Sequence, residues 1–421
     1  MTGIPFGFGP LGREPEEGGG PPGGQGMPGF PGIPADLAGK VPLFAELQKL
    51  MSWQGGPVNW DLARQLAISE LSSGHQMTSP GDRSQTADAL RLADIWLDAV
   101  TSLPSGVTST GAWSRVEWVE RTLPVWSTLC DPIAGRVVAA MNSAMPAEAA
   151  EAAGPLLGIM TQLGGMMFGA QVGQGLGSLA GEVLSSTDVG LPLGPAGLAA
   201  LVPENVAAFG AGLELPTDEV RLFLALREAA HHRLFGHVPW LRQRLLDTVE
   251  TYARGISVDT AAIEQAMAGI DPNDPESLQN ALSGGLFEQK ATPEQQAALA
   301  RLETLLALVE GWVDDVVAAA SADRLPGSDA LRETLRRRRA TGGPAEQTFA
   351  TLVGLELRPR RLRDAATLWR VLREERGPSG RDEVWRHPDL LPDADDLADP
   401  AGFARRTAAD DDGGADPLAG L

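Results

Sequence analysis

Cysteine is almost missing from this chain: Cys130 stands alone among 421 residues. That excludes an intramolecular disulfide and any cysteine-based zinc cluster, and it suits a reducing, cytoplasmic setting. Lysine is nearly as scarce, with Lys40, Lys49 and Lys290 beside 31 arginines. None of the three follows a glycine pattern that could cradle phosphates, and no Gly-x-Ser-x-Gly nucleophile elbow occurs. Excess positive charge is absent too. A formal charge of -21 excludes a protein built to hold duplex nucleic acid, whose phosphates demand a basic surface. The N-terminus carries neither a basic stretch nor a continuous apolar run, so no secretory signal is expected. Alternating runs of β-branched residues are few, whereas apolar positions at spacings of three and four fill the middle of the chain. The expected fold class is therefore mainly α.

Composition divides the chain. Of the first 34 residues, 20 are Gly or Pro, too little apolar surface to offset chain entropy, so 1–35 reads as a disordered tail. Nine aspartates between Asp389 and Asp416 give 389–421 the look of a solvated acidic tail. The segment between, 36–388, is long enough for a multi-helical domain. Helices are expected over Ala87–Val100, Trp113–Leu129, Pro216–His237, Trp240–Arg254 and Pro293–Ala320, with short pieces over 258–296. Thr217 or Asp218 is placed to cap the third of these. Trp118 and Trp126 fall at helical spacing and read as core anchors. Cys130 reads as a buried structural thiol.

Two segments raise other functions. Residues 152–181 carry no charge, as a membrane span would, but Gly165, Gly169, Gly173, Gly177 and Gly181 recur every fourth residue and Gln162, Gln171 and Gln174 interrupt the run. A buried helix closely approached by another backbone is the better reading. Ten arginines between Arg332 and Arg370, including Arg336 to Arg339, could form a phosphate patch. With no interleaved aromatics they read instead as helix-surface arginines paired with the surrounding acids.

His231, His232 and His237 cluster in a chain with five histidines. The local string Arg227-Glu228-Ala229-Ala230-His231-His232 is one residue short of His-Glu-x-x-His, in which two histidines a turn apart hold zinc and the glutamate polarises water. Glu-x-x-His alone is common and carries little weight. The longer segment Leu226 to Leu241, LREAAHHRLFGHVPWL, resembles the zinc-helix region of an actinobacterial family of zincin-like hydrolases. That family is described as zinc-dependent metalloproteases, one branch being associated with deazaflavin-coenzyme biosynthesis, and typically continues into Val-Pro-Trp-Leu, here Val238 to Leu241. Trp118 to Pro132, Val309 to Val313 and Leu352 to Arg363 extend the resemblance over roughly residues 85 to 390.

The resemblance implies a zincin-like helical fold and zinc-dependent peptide hydrolysis. It places Glu228 as the catalytic glutamate, His231 as a zinc ligand and Glu310, of the Glu310-Gly311 pair, as a ligand from a later helix. Arg227 departs from the pattern, because a guanidinium has no lone pair to give a cation. Two outcomes follow. Zinc survives with His232 or Asp314 as substitute ligand, although adjacent helical residues such as His231 and His232 point about 100° apart. Alternatively, Arg227 takes the metal's electrostatic place against Glu310, giving an inactive pseudo-peptidase that binds a peptide or protein.

Overall fold

The computed structural model describes residues 56–72, 77–143, 154–254, 292–340 and 361–412. These lie within one compact unit, Gln54–Leu421. The expected tail 1–35, residues 258–291 of the short helical pieces expected over 258–296, and Leu352 to Arg360 of the resembling segments lie outside the described residues.

Among the described residues are eleven α-helices, two short 3-10 helices (Glu383–Arg386 and Pro388–Leu390) and one two-stranded sheet. In chain order the α-helices and strands are α1 (Trp60–Leu71), α2 (Pro80–Leu97), β1 (Ser109–Ala112), α3 (Arg115–Ser143), α4 (Gly154–Ala180), β2 (Leu198–Leu201), α5 (Pro203–Gly210), α6 (Thr217–His237), α7 (Pro239–Arg254), α8 (Pro293–Ser321), α9 (Ser328–Ala340), α10 (Leu362–Asp382) and α11 (Pro400–Asp412). The mainly helical class read from periodicity is the observed one.

Local chemistry sets several boundaries. Ser79 and Asp82 form a reciprocal capping box at the start of α2, and Thr292 with Gln295 does the same for α8, each followed by a proline that needs no amide partner. α6 differs from the expectation at its first turn. Its cap is Pro216, with no side-chain hydrogen bond, and Asp218 instead accepts from Arg221.

β1 and β2 run parallel, with Ser109 opposite Leu198 and Ala112 opposite Leu201. A parallel pair requires a long crossover, supplied here by α3 and α4. The sheet lies against α2 and α6, bringing the backbone of Ala200 up to the middle of α6.

The glycine stripe of α4 meets α1. A Cβ on Gly169 would come within 2.5 Å of the Asn59 carbonyl oxygen, and one on Gly173 within 2.6 Å of that of Ala63. Close backbone approach thus accounts for Gly169 and Gly173, and no described helix is long and apolar enough to cross a membrane. Gly311 plays the same part between α8 and α10, where an added Cβ would meet Ala365 at 2.7 Å.

Trp118 and Trp126 are fully buried, as their spacing implied, together with Trp312, Trp369 and Trp385. Trp312 Nε1 donates to Asp382 Oδ1 at 2.8 Å, and Trp369 Nε1 to the Leu308 carbonyl at 2.8 Å, so these two indoles bury without an orphaned donor. Cys130 is buried beside Leu129, and burial, helped by the Asp131 charge, pushes its thiol up to about 12. Such a thiol is inert at neutral pH.

The boundary placed at 388 falls inside the folded unit. Leu397, Phe403 and Ala404 are buried, and α11 packs on α10. Of the aspartates that suggested a tail, Asp393, Asp396 and Asp399 are turn and cap residues. Asp393 Oδ1 accepts from the amides of Asp395 and Asp396, and Asp399 Oδ1 from that of Gly402. Aspartate favours such places because its short carboxylate reaches backbone amides a few residues on.

Candidate active site

α6 is buried from Leu224 to Leu234 on every side, its polar residues included. A helix buried all round must find partners for each polar group it carries. Arg233 does so on α2, donating to Asp94 and Asp98. The remaining polar residues of this stretch fall into two sets on neighbouring faces of the helix, about 100° apart.

The first set meets α8. Arg227 Nη2 donates to Glu310 Oε2 at 2.5 Å, and His231 Nε2 lies 3.0 Å from Glu310 Oε1. His231 Nδ1 sits 2.9 Å from the Arg227 carbonyl, so both ring nitrogens face acceptor oxygens. A second guanidinium arrives from α9. Arg339 Nη1 donates to Glu310 Oε2, and its Nη2 to the Asp188 carbonyl at 2.7 Å. Burial would raise the Glu310 carboxyl, but Arg339, His231 and Arg227 together hold it well below the usual carboxylate range. Burial in turn pulls the Arg227 guanidinium below its ordinary value, opposed by the charge of Glu310. Gly190, at φ +76°, closes the site from the loop before β2; a Cβ there would stand 3.0 Å from Glu310 Oε1.

The second set faces the sheet. Glu228 has no exposed surface. Its Oε1 accepts from the Ser186 hydroxyl and from the Ala200 amide at 3.0 Å, with His232 Nε2 at 3.2 Å. Its Oε2 accepts from the Thr187 hydroxyl at 2.6 Å and the Thr187 amide at 3.3 Å. Burial raises this carboxyl, yet His232, Ser186 and Thr187 outweigh it and lower it to about 2. A general base needs a proton affinity matched to working pH and a path to the substrate water. Enclosed, fully hydrogen-bonded and far more acidic than such a base, Glu228 ties α6 to β2 and to the 185–187 segment.

Ser186, His232 and Glu228 do not make a nucleophilic triad either. Ser186 Oγ donates to Glu228 and lies 3.5 Å from His232 Nε2, the same nitrogen that faces Glu228. A triad needs the serine and the acid on opposite ring nitrogens. Beside them lies a cavity of only about 60 Å³.

His231 and His232 diverge, the first to Glu310 and the second to Glu228. Asp314, one turn beyond Glu310, is held by Arg332 at 2.9 and 2.7 Å and by Arg336 at 2.7 Å. Neither expected substitute therefore joins His231 and Glu310. A hydrolytic zinc site needs three protein donors and an open position. Here the two donors face each other across a hydrogen bond, and guanidinium groups fill the remaining approach to the carboxylate. The donor set does not fit zinc, and among the described residues no group of three or more His, Cys, Asp or Glu could hold a metal ion.

Sequence reasoning missed Arg339, Asp188, Ser186 and Thr187. The arginine run did signal pairing with acids, but not that its last member enters the site. No local pattern marked the 185–188 segment.

The crossing of α6 and α8 through His231 and Glu310 has its counterpart in sequence: the model of the zincin-like metallopeptidase family matches residues 58–404. The chain belongs to that family. No curated protein matches this zincin-like chain. A crystal structure of a protein from Chloroflexus aurantiacus, described as a "putative hydrolase with a novel fold", is similar at 23% identity with a TM-score of 0.59, covering 83% of this chain and 99% of that one. At that identity the likeness is one of fold. The zincin-like family assignment thus spans both helices of this crossing.

Proposed function

We propose that this protein is a non-hydrolytic zincin-like protein, a pseudo-peptidase in which Arg227 occupies the electrostatic place of the metal and the helical body serves to bind a protein or peptide. The observation that carries the reading is the buried contact of Arg227 with Glu310 at 2.5 Å. Arg227 and Arg339 bring two fixed positive charges to one carboxylate, formally the charge of a divalent ion, without an open coordination position for water. Glu228, spent on the sheet, adds no base.

The Val238 to Leu241 ending supports a place near the deazaflavin-associated actinobacterial branch, and the single cysteine supports a cytoplasmic setting. Family membership keeps zinc and peptide hydrolysis as the alternative that experiment must exclude.

The test is metal content after dialysis against zinc and then metal-free buffer. The wild-type chain is expected to retain none. Arg227→His combined with Arg339→Ala is expected to gain zinc, since His231 and Glu310 are already at the crossing. One tightly held zinc per wild-type chain, with hydrolysis of a peptide library, would overturn the reading.

A further inference from the structure

A second concavity lies on the other side of α8. Arg301, Thr304, Leu305 and Leu308 line it at helical spacing, while Glu310 follows Leu308 by two residues and so points about 200° away. From α7 come Arg244, Asp247, Thr248 and Thr251, again three and four apart. Arg361, where α10 begins, and the Pro388 to Ala394 segment also line it. The volume is about 520 Å³, the size of a small-molecule site.

The charges there are unevenly satisfied. Both acids are occupied by their neighbours: Asp247 accepts from Gln243 at 2.7 Å, and Asp393 from the amides of Asp395 and Asp396. The arginines are not. Among the described residues, the Arg244 and Arg301 guanidiniums have no hydrogen bond or ion pair, and that of Arg361 donates only to the Thr304 hydroxyl at 2.8 Å. The three threonine hydroxyls donate to carbonyls of their own helices, at 2.7 Å for Thr248 and Thr251 and 2.8 Å for Thr304. The free donors of the pocket are therefore guanidinium groups, and they stand over an apolar wall in which Leu305 and Leu308 are buried and Leu391 half-buried. In a chain of net charge -21, arginines with no acid partner among the described residues stand out around an apolar cavity.

We propose that this pocket binds a small amphipathic organic acid, its carboxylate or phosphate headgroup held by Arg244, Arg301 and Arg361 and its hydrocarbon body laid against Leu305, Leu308 and Leu391. The planar forks of arginine suit either headgroup. The site is independent of the Arg227 crossing, being on the opposite face of α8.

Calorimetric titration of the full chain with octanoate, octyl phosphate, octanol and inorganic phosphate tests this. Octanoate or octyl phosphate is expected to bind saturably at one site, and preference between them identifies the headgroup. Octanol and inorganic phosphate should bind at least about tenfold more weakly, each lacking half of the recognition. Arg301→Ala and Arg244→Ala alter exposed side chains, so the melting temperature should hold while affinity falls about tenfold. Arg301→Lys should restore part of it, and Arg227→Met should leave it unchanged. Octanol binding as well as octanoate, affinity untouched by both alanine variants, or no saturable binding of either acid would overturn the proposal.

Discussion

Arg227 and Glu310, 83 residues apart in sequence, meet at 2.5 Å with side chains less than a tenth exposed, and their contact joins the two helices that cross at the centre of the protein. Glu310 is the shared member of the cluster, since Arg339 and His231 also bind it.

That asymmetry predicts unequal costs of mutation. Glu310→Gln strands two guanidiniums and is expected to cost about 3–5 kcal/mol, the range for breaking a buried ion pair from one side. Arg227→Met leaves Glu310 with two partners and should cost about 1–3 kcal/mol. Urea unfolding of the two variants checks the order. A larger loss for Arg227→Met would mean that the carboxylate does not organise the cluster.

Glu228→Gln should behave as a structural lesion. The amide would place donor hydrogens against the donors of Ser186, Thr187 or Ala200, and each buried group left unsatisfied costs about 1–3 kcal/mol. Thermal and chemical denaturation read this directly. Full stability together with loss of a hydrolytic activity would restore Glu228 to the role of a base.

Acid should weaken the fold through the same residue. Folded Glu228 titrates at about 2 against an ordinary 4.5, so below 4.5 the unfolded chain takes up the proton first. The stabilisation is fully present above pH 4.5 and is lost as pH falls from there toward about 2, on the order of 3 kcal/mol. Glu310, also held low, acts with the same sign. Stability measured from pH 6 to pH 3 should fall less steeply in Glu228→Gln than in wild type; parallel curves would contradict the assignment.

Gly311→Ala should loosen α8 from α10. The new Cβ would lie 2.7 Å from Ala365 Cβ and 2.8 Å from the backbone of Ala365 and Ala366, atoms that cannot turn aside. Overpacking of this kind costs about 1–3 kcal/mol. A melting temperature equal to wild type would show that the helices have room to part.

Much of the helical framework was legible because its signals are local. The span expected from Pro216 to His237 is observed as Thr217–His237, and that from Pro293 to Ala320 as Pro293–Ser321, since periodicity, proline and capping residues act within a turn or two of the helix they shape. The four-residue glycine period of 165–177 likewise announced a close helix contact, without naming α1 as the partner. The aspartates of 389–399 misled because density of charge says nothing of whether a carboxylate is solvated or capping a turn, and three apolar residues, Leu397, Phe403 and Ala404, suffice to seat that segment on a surface already formed.

By itself the sequence determined that the protein is helical and that Arg227 cannot be a ligand, because each follows from the chemistry of a residue or the period of a short segment. Only the tertiary structure decided where those charges go. Glu228 turns to the sheet, Glu310 collects Arg227 and Arg339, and Asp314 is taken by α9. Buried ionisable groups must each find a counter-charge or donor, and which one they find depends on helices that pack from distant parts of the chain.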